Sequence, residues 1–490
     1  MILNLALVEK AETALAKGDF AMLRTAAQAL IDAAPDAPRG WHLLGIALRQ
    51  MHELGPAADA IDRATALAPT SAPLLHLRAL LEAERGGPSL PFYTLARAAA
   101  PDDPEIALGE AVALCEAGNI DQGLDTLDAI SATHPAWVKA HATLAKLLWE
   151  SGRGADLAAP FHRAIRHRPD NPDLHTTLIA LLMQAGRYGD ALNEIHAARQ
   201  AFGAAAWFDE AEAVCASETG QIARADRAFG IAGDTPGVNA ARARHALRAG
   251  RFDEAAVAAE QAVAHPQGKA AWPYLAAAWR LLDDPRWAWL EGDSRLFGAI
   301  DLGIAPRDLE AIAALVRSLH TARQAPLDQS LRLGTQTPGS ILDRPEPELR
   351  LLREAARDAV HAHLAQLPSP DPRHPVLREA RDGFRFAGSW SSLLEPHGYH
   401  TSHIHPAGWF SSALYLALPP STGDGATGFD GWLQFGAPPA ELNVDLPPFR
   451  RVEPRPGLLA LFPSITWHGT VPFATGERLT IAFDVVSAAS

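Results

Sequence analysis

The sequence contains very little cysteine. Its 490 residues include only Cys115 and Cys215, which lie far apart in segments of helical character. Small domains that depend on disulfides, and zinc sites built from clustered cysteines, both need several cysteines at close spacing. Both classes are therefore excluded.

Long apolar runs are also absent. Although 48% of the residues are hydrophobic, no uninterrupted apolar stretch reaches the roughly 18 residues that a transmembrane helix needs. The first twenty residues, MILNLALVEKAETALAKGDF, contain acidic residues and a helical pattern. A secretory signal peptide has instead a basic end followed by a continuous apolar run. We therefore expect a cytoplasmic protein that does not enter the membrane.

Basic residues are fewer than acidic residues in this chain. The 43 lysines and arginines are outnumbered by 57 acidic residues, which gives a formal net charge of −14. This balance argues against a nucleic-acid or anionic-membrane partner, because both attract cationic surfaces. Lysine is especially rare, and after Lys269 every permanent cation in the chain is an arginine.

The first 280 residues are rich in Ala, Leu, Glu and Arg, with apolar positions at helical spacing. Two interleaved series of residues recur in them with steps of 30 to 34 residues. One series consists of Pro35, Pro69, Pro101, Pro135, Pro169, Gly203, Pro236 and Pro266, and the other of Gly18, His52, Gly86, Gly118, Gly152, Gly186, Gly220 and Gly250. This pattern predicts pairs of antiparallel helices, with a turn glycine inside each pair and a proline that opens the next pair.

The segments WHLLGIALRQ (41–50) and RYGDALNEIHAARQ (187–200) resemble the first and second helices of a tetratricopeptide repeat. About eight such units fit, so residues 1–284 are predicted to form an α-solenoid of this family. Stacked units of this kind form a superhelix with a concave surface. We interpret that surface as a binding site for a protein or peptide, and the alternatives are a spacer or a scaffold for a homodimer.

Residues 285–490 have a different pattern of apolar and turn-forming residues, so the chain is predicted to be an α + β multidomain protein. Two helical stretches, near 306–323 and 345–366, flank a polar loop at 328–340. From residue 384 onward, short apolar segments alternate with Pro, Gly and Asp, which predicts the strands of a sandwich or barrel. These segments are FRFAGSWSSLL, GYHTSHIH, FSSALYLAL, GWLQFG, LLALFPS and LTIAFDVV.

The segment GYHTSHIHPAGWF (398–410) concentrates histidines in one predicted strand. Residues two apart in a strand face the same side, so His403 and His405 are expected to project together, with His400 on the opposite face. Neutral imidazole is the commonest metal ligand in proteins. His468, in the segment FPSITWHGT, is the best candidate for a third ligand.

Arg478 and Thr480 follow His468 by about ten residues. Two histidines on one strand, a distal histidine and then an arginine form a layout that resembles the Fe(II)/2-oxoglutarate oxygenases. The resemblance is closest to the oxygenase family that bacteria carry behind tetratricopeptide repeats. The matching segments are QSLRLGTQT (329–337), GSWSSLL (388–394), GYHTSHIHPAGWFSSALYL (398–416), PGLLALFPSITWHGTVPF (456–473) and RLTIAFDVV (478–486).

This resemblance implies a double-stranded β-helix, or jelly roll, that binds Fe(II) and uses 2-oxoglutarate as cosubstrate. The implied activity is that of a dioxygenase that hydroxylates a protein or peptide recruited by the repeats. The implied metal ligands are His403, His405 and His468. The implied residues for the distal carboxylate of 2-oxoglutarate are Arg478, Thr480 and Tyr415, and weaker candidates for substrate contact are Arg332, Gln336 and Trp390.

One departure from the family pattern leaves alternatives open. The familiar iron triad is two histidines and a carboxylate, and His405 stands where the carboxylate is expected. We favour three histidine ligands, and the alternative is His403 and His468 with water. Zinc or manganese also suits this ligand set. Rival functions are a non-catalytic adaptor with a degenerate oxygenase domain and a cupin-like metal enzyme with three histidines. A purely structural alternative places the histidines in a polar edge strand and Arg478 in a surface salt bridge to Glu477 or Asp484.

The repeat assignment predicts that a fragment of residues 1–284 folds on its own, because each solenoid unit contacts only its neighbours. Far-ultraviolet circular dichroism of this fragment should show an α-helical spectrum and a cooperative thermal transition. Substantial β content, or a melt without cooperativity, would contradict the assignment.

Overall fold

The computed structural model describes residues 5–327, 329–422 and 428–488. The chain forms two compact units, one of residues Met1–Thr133 and Thr337–Arg353 and the other of residues His134–Gln336 and Glu354–Ser490. Asp328, the first residue of the predicted polar loop, lies outside the described residues. The predicted domain boundary at residue 284 stays a prediction.

Twenty α-helices occur in the described part of the chain, and the first sixteen follow one another as eight antiparallel pairs. These sixteen are α1 Leu5–Lys17, α2 Phe20–Ala33, α3 Pro38–Gln50, α4 Leu54–Leu67, α5 Ala72–Glu84, α6 Leu90–Ala99, α7 Pro104–Glu116, α8 Ile120–Thr133, α9 Val138–Glu150, α10 Ala159–His167, α11 Pro172–Gln184, α12 Tyr188–Phe202, α13 Ala206–Glu218, α14 Ile222–Ile231, α15 Pro236–Arg248 and α16 Phe252–Val263. The others are α17 Trp272–Leu281, α18 Arg286–Glu291, α19 Pro306–Ser318 and α20 Pro347–Gln366. None of these helices is long and apolar enough to cross a membrane.

The eight predicted turn positions explain why glycine recurs in the repeats. Each lies between the two helices of a pair and has a positive φ, from 61° at His52 to 87° at Gly118. A side chain on an L-residue is strained in this left-handed conformation, whereas glycine adopts it freely. The α-solenoid predicted from the repeat period is therefore confirmed. Glycine recurs with this period because each turn requires a positive φ.

Five of the periodic prolines have a different position from the one predicted, whereas Pro236 opens α15 as predicted. The five from Pro35 to Pro169 lie three residues before the next helix, in the connection between pairs, and do not open that helix. Proline disfavours the helical conformation in the residue before it. Ala34, Ala68 and Ala100, which precede three of these prolines, have ψ between 69° and 79° and end their helices. The periodic proline therefore terminates one pair.

The C-terminal region forms two antiparallel sheets, which confirms the predicted jelly-roll class. Its nine strands, counted over the described residues, are β1 Gly298–Asp301, β2 Leu331–Gln336, β3 Phe384–His400, β4 Phe410–Ala417, β5 Leu433–Phe435, β6 Arg450–Val452, β7 Leu458–Pro463, β8 His468–Thr470 and β9 Arg478–Ser487. The larger sheet has the order β1-β7-β4-β9-β3-β2, and the smaller has the order β6-β5-β8. Strand β9 is central in the larger sheet, and β4, β7 and β9 are mostly buried.

The predicted polar loop contains an edge strand. Strand β2 pairs with β3, but the register shifts between Arg332 and Gly334. Leu333 lies at this irregularity, exposed and with φ of 54°. A bulge of this kind interrupts the alternation of apolar and polar residues from which a strand is recognised in a sequence. The loop prediction was wrong for residues 331–336 for that reason.

Within the second unit, helix α17 contacts the segments that flank the smaller sheet. The Trp467 indole N–H donates to the Pro273 carbonyl at 3.2 Å, and the Trp467 ring also makes an edge contact with Tyr274. The Arg280 guanidinium donates to the carbonyl oxygens of Gly436 and Pro447. These contacts fix the segment that carries His468.

Gly118→Ala should destabilise the protein by about 1 kcal/mol, because alanine is strained at positive φ. A Cβ atom added to Gly118 would have no neighbouring atom within 4 Å, so the loss of stability comes from backbone strain and not from a steric clash. Gly55→Ala is the matched control, since Gly55 lies in α4 and its Cβ atom would also meet nothing. Alanine favours a helix over glycine, so this control should melt at the same temperature or higher. Equal melting of Gly118→Ala and the wild type would contradict the explanation of the turns.

Candidate active site

The histidine segment does not form the regular strand that was predicted. Strand β3 ends at His400, and a single bridge then joins His403 to His468. The His403 N–H donates to the His468 carbonyl at 2.9 Å, and the His468 N–H donates to the His403 carbonyl at 3.1 Å. The His405 N–H donates to the Ser464 carbonyl at 2.8 Å. Both histidines are thus held by the chain between β7 and β8, without a continuous ladder.

The three predicted ligand side chains converge. One ring nitrogen from each of His403, His405 and His468 lies within 4.8 Å of the other two, a grouping that can hold a metal ion. The ring centroids of His403 and His468 are 4.1 Å apart, and those of His405 and His468 are 5.3 Å apart. The metal-ligand role of the three residues stays a prediction, and their spacing fits it.

The Nδ1 atom of each of the three rings forms a hydrogen bond within the protein. In all three histidines an oxygen lies within hydrogen-bond distance of Nδ1, so that Nδ1 carries the proton and Nε2 presents a lone pair. Metal-bound histidines are oriented in this way, with the second nitrogen donating to a carbonyl or carboxylate. The acceptors are the Thr401 carbonyl for His403 at 2.8 Å, Asp484 Oδ2 for His405 at 2.9 Å and the Thr466 carbonyl for His468 at 3.0 Å.

The protein environment favours the neutral forms of His403 and His468. Burial, helped by the charge that nearby His405 would carry, lowers the pKa of His403 to about 3. Burial first, and then His403, lowers the pKa of His468 well below its usual value. A metal binds the neutral imidazole, so these two rings are ready to act as ligands at neutral pH.

His400 does not lie on the opposite side of the segment, as a regular strand would require. The strand ends at His400. The ring centroid of His400 lies 5.9 Å from that of His403. The Ser330 hydroxyl lies between them, 3.0 Å from His400 Nδ1 and 3.2 Å from His403 Nε2. Sequence reasoning missed Ser330, although the segment QSLRLGTQT that carries it had been matched to the family.

Asp484 and Trp390 complete the surroundings of His405. Asp484 accepts hydrogen bonds from His405 and from the Ser411 hydroxyl, the latter at 2.7 Å. The Trp390 ring stacks on the His405 ring at an interplanar angle of 4° and a centroid distance of 5.5 Å. The sequence offered a signal for Asp484, because alternate residues of β9 face one side and place Asp484 on the face of Arg478 and Thr480.

Arg478 is buried, with 1% of its surface exposed. Its Nε donates to the Gly431 carbonyl at 3.2 Å, and its guanidinium lies 5.1 Å from the centroid of the Tyr415 ring. Burial lowers the pKa of Arg478, partly offset by Tyr415, and no described carboxylate forms an ion pair with it. Glu477 pairs with Arg317 and Asp484 with His405, so the surface salt bridge considered for Arg478 was wrong.

Polar side chains form a row beside Arg478. In the strand register, Gln336 of β2 pairs with Ser392 of β3, Ser392 pairs with Thr480 of β9, and Thr480 pairs with Tyr415 of β4. Directly paired residues have side chains on the same face of a sheet. The Ser392 hydroxyl is buried without a hydrogen-bond partner among the described residues, and the buried Tyr415 hydroxyl interacts with the Arg478 guanidinium beside it. Burial raises the pKa of Tyr415, which keeps its hydroxyl protonated as a donor.

Arg332 has an exposed position. Its guanidinium donates to the carbonyls of Gln329 and Leu331, at 2.8 and 3.0 Å. It is near enough to the histidines that its charge contributes to lowering the pKa of His403. The substrate roles of Arg332, Gln336 and Trp390 stay predictions.

Two family models match the chain. Residues 388–484 match the family described as "Putative 2OG-Fe(II) oxygenase", and residues 80–147 match a tetratricopeptide repeat. The chain therefore contains a tetratricopeptide-repeat region and a C-terminal domain that matches the "Putative 2OG-Fe(II) oxygenase" family. The matched oxygenase segment contains the three converging histidines and Arg478. No curated protein matches the chain.

Several solved structures resemble part of this tetratricopeptide-repeat protein. MamA is 14% identical, with a TM-score of 0.30, over 34% of this chain and 91% of MamA. YrrB, described as a tetratricopeptide protein with an unusual peptide-binding site, is 14% identical, with a TM-score of 0.29, over 34% of this chain and 86% of YrrB. Likeness at this level transfers no function.

Replacement of His403, His405 or His468 by Ala should abolish stable uptake of Fe(II), because each removes one of three converging ligands. The measurement is the iron content of protein loaded without oxygen and then desalted. His397→Ala is the control, since His397 belongs to the same sequence cluster but is exposed and outside the triad. Full iron content in His405→Ala would show that only two histidines bind the metal.

Proposed function

We propose that the protein is a 2-oxoglutarate-dependent dioxygenase that uses Fe(II) to hydroxylate a protein or peptide bound by its repeats. The metal ligands would be His403, His405 and His468. Arg478, Thr480 and Tyr415 would hold the cosubstrate. The family match and the converging imidazoles support an oxygenase-type site, and the cosubstrate is inferred from Arg478.

The single observation that carries the proposal is a buried guanidinium without an anion. A buried charge is costly unless it is paired, and Arg478 has neither a carboxylate partner among the described residues nor access to solvent. Burial first, and then nearby charges that include Arg478, lower the pKa of His400, so Arg478 lies near the triad. An anionic ligand that binds next to the metal would supply the missing partner.

The hydroxyl groups near Arg478 define what kind of anion fits. The Ser392 hydroxyl is unpartnered, the Tyr415 hydroxyl has the Arg478 guanidinium beside it, and the Thr480 hydroxyl has a long contact of 3.5 Å to the Ser392 carbonyl. A carboxylate accepts several hydrogen bonds at once, and a guanidinium can donate two of them in parallel. The row therefore suits the distal carboxylate of 2-oxoglutarate better than a neutral ligand.

The triad and its neighbours would supply the rest of the chemistry. Bound iron and 2-oxoglutarate would provide oxidation of a substrate C–H bond by O₂, coupled to loss of CO₂ from the cosubstrate. The Nδ1 hydrogen bonds orient the three imidazoles before any ligand arrives. Trp390 stacked on His405 and Phe462 packed on His468 would exclude water from one side of the site.

The repeats are proposed to deliver the substrate in the cytoplasm. A cavity of about 550 Å³ lies among α14, α15 and α16, and Arg242, Arg251 and Glu254 contribute to its lining. Val257, which is exposed, supplies an apolar surface in the same cavity. A groove with charges of both signs around apolar side chains suits a peptide, and solenoid repeats commonly present such surfaces.

Arg478→Ala should weaken 2-oxoglutarate binding by about a hundredfold or more, since removal of one partner from a buried ion pair costs about 3–5 kcal/mol. Metal uptake should persist. The measurement is calorimetric titration of the metal-loaded protein with 2-oxoglutarate in the absence of oxygen. Arg478→Lys should restore only part of the affinity, because an ammonium group cannot form the paired hydrogen bonds of a guanidinium.

Arg385→Ala is the matched control, because Arg385 is an exposed arginine on β3 and should not affect binding. Unchanged affinity in Arg478→Ala would contradict the cosubstrate assignment. If the wild type binds metal but not 2-oxoglutarate, the cupin-like alternative is favoured. If it binds neither, the domain acts as an adaptor. Succinate formed during peptide turnover would establish the oxygenase reaction.

A further inference from the structure

We propose that Asp484 supplies the negative charge that the three-histidine site lacks, and that it does so through His405. This inference rests on the proposed metal site. In it, Asp484 is a positioning residue: it fixes the proton of His405 on Nδ1 and strengthens Nε2 as a metal ligand. The carboxylate expected in the usual iron triad is thus present, displaced outward by one imidazole ring.

The contacts of Asp484 separate it from an ordinary surface carboxylate. Its Oδ2 lies 2.9 Å from His405 Nδ1, and its Oδ1 accepts the Ser411 hydroxyl at 2.7 Å. The Ser411 hydroxyl is also 2.8 Å from the Ser464 hydroxyl, and the Ser464 carbonyl accepts the backbone N–H of His405. The carboxylate is therefore held in one orientation from both sides, with the His405 ring at one oxygen.

Asp484 has no permanent cation as a partner among the described residues. In the described part of the chain its one ion pair is with His405, and both side chains are 17% exposed. Its charge is therefore directed at the imidazole and is not neutralised by an arginine. A carboxylate that accepts a hydrogen bond from a metal-bound histidine raises the basicity of that ligand and fixes its tautomer.

The three ligands are unequal in this respect. His403 and His468 donate to neutral backbone carbonyls, whereas His405 alone donates to a carboxylate. His405 also occupies the sequence position of the missing triad carboxylate. The one imidazole that replaces an anionic ligand is therefore the one that contacts an anion.

The test compares the metal affinity of Asp484→Asn with that of the wild type, using Co(II) in competition with a chelator at one fixed pH. Loss of a partner that orients a ligand typically costs 10- to 100-fold in metal affinity, and we expect a loss in that range. Asp371→Asn is the matched control, because Asp371 is also a half-buried carboxylate that accepts a side-chain hydrogen bond, from the Trp289 indole at 3.0 Å. It should bind Co(II) as the wild type does.

Further measurements separate charge from structure. Ser411→Ala keeps the carboxylate and should lose much less affinity than Asp484→Asn. The Fe(III)/Fe(II) potential of Asp484→Asn should rise, since loss of a nearby negative charge disfavours the more positive ion, while a purely structural effect would not move it in a set direction. In the metal-free wild type, nitrogen chemical shifts of His405, assigned by their loss in His405→Gln, should show a protonated Nδ1.

The outcomes distinguish this inference from the proposed function. Co(II) affinity of Asp484→Asn equal to that of the wild type would overturn it, as would equal losses in Asp484→Asn and Asp371→Asn. A neutral His405 ring in the wild type that carries its proton on Nε2 and not on Nδ1 would overturn it even if Asp484→Asn does not fold. A wild type that binds metal but not 2-oxoglutarate would overturn the proposed function and leave the role of Asp484 standing.

Discussion

The candidate site depends on the reciprocal backbone hydrogen bonds between His403 and His468. These two bonds join segments that are distant in the sequence, and they bring the two ring centroids to 4.1 Å. His405 reaches the same place because its own N–H is held by Ser464, just before the segment of His468. The convergence of the three imidazoles is thus tied to hydrogen bonds of the backbone.

Burial of the imidazoles and of Arg478 sets the protonation states and the unbalanced charge in this domain. The imidazoles lose water, so the neutral forms of His403 and His468 are favoured and their nitrogens are available to a cation. Arg478 is also buried but cannot become neutral at physiological pH, and it keeps a charge that no described carboxylate balances. A cation bound at one end and a carboxylate at the other would satisfy both groups, which is why metal and cosubstrate are proposed together.

Much of the repeat architecture could be predicted because it depends on local rules. A left-handed turn favours glycine, which occupies seven of the eight turn positions with His52 at the other, and the position of each turn can therefore be read from the period. The proline positions were misinterpreted because proline acts on the residue before it as well as on its own helix position. The edge strand β2 was missed because a bulge at Leu333 breaks the alternation by which strands are recognised.

The sequence by itself determined the α-solenoid and named the three candidate ligands, because both depend on residue type at fixed spacing, and the resemblance to a family implied the jelly-roll class. It did not determine the partners of those ligands. Asp484 at His405, Ser330 between His400 and His403, and the hydroxyl row beside Arg478 arise from strand register and from loops that cross between sheets. Contacts between residues far apart in the chain depend on how whole elements pack. Only the tertiary structure therefore decided which polar groups near the site are satisfied and which remain free for a ligand.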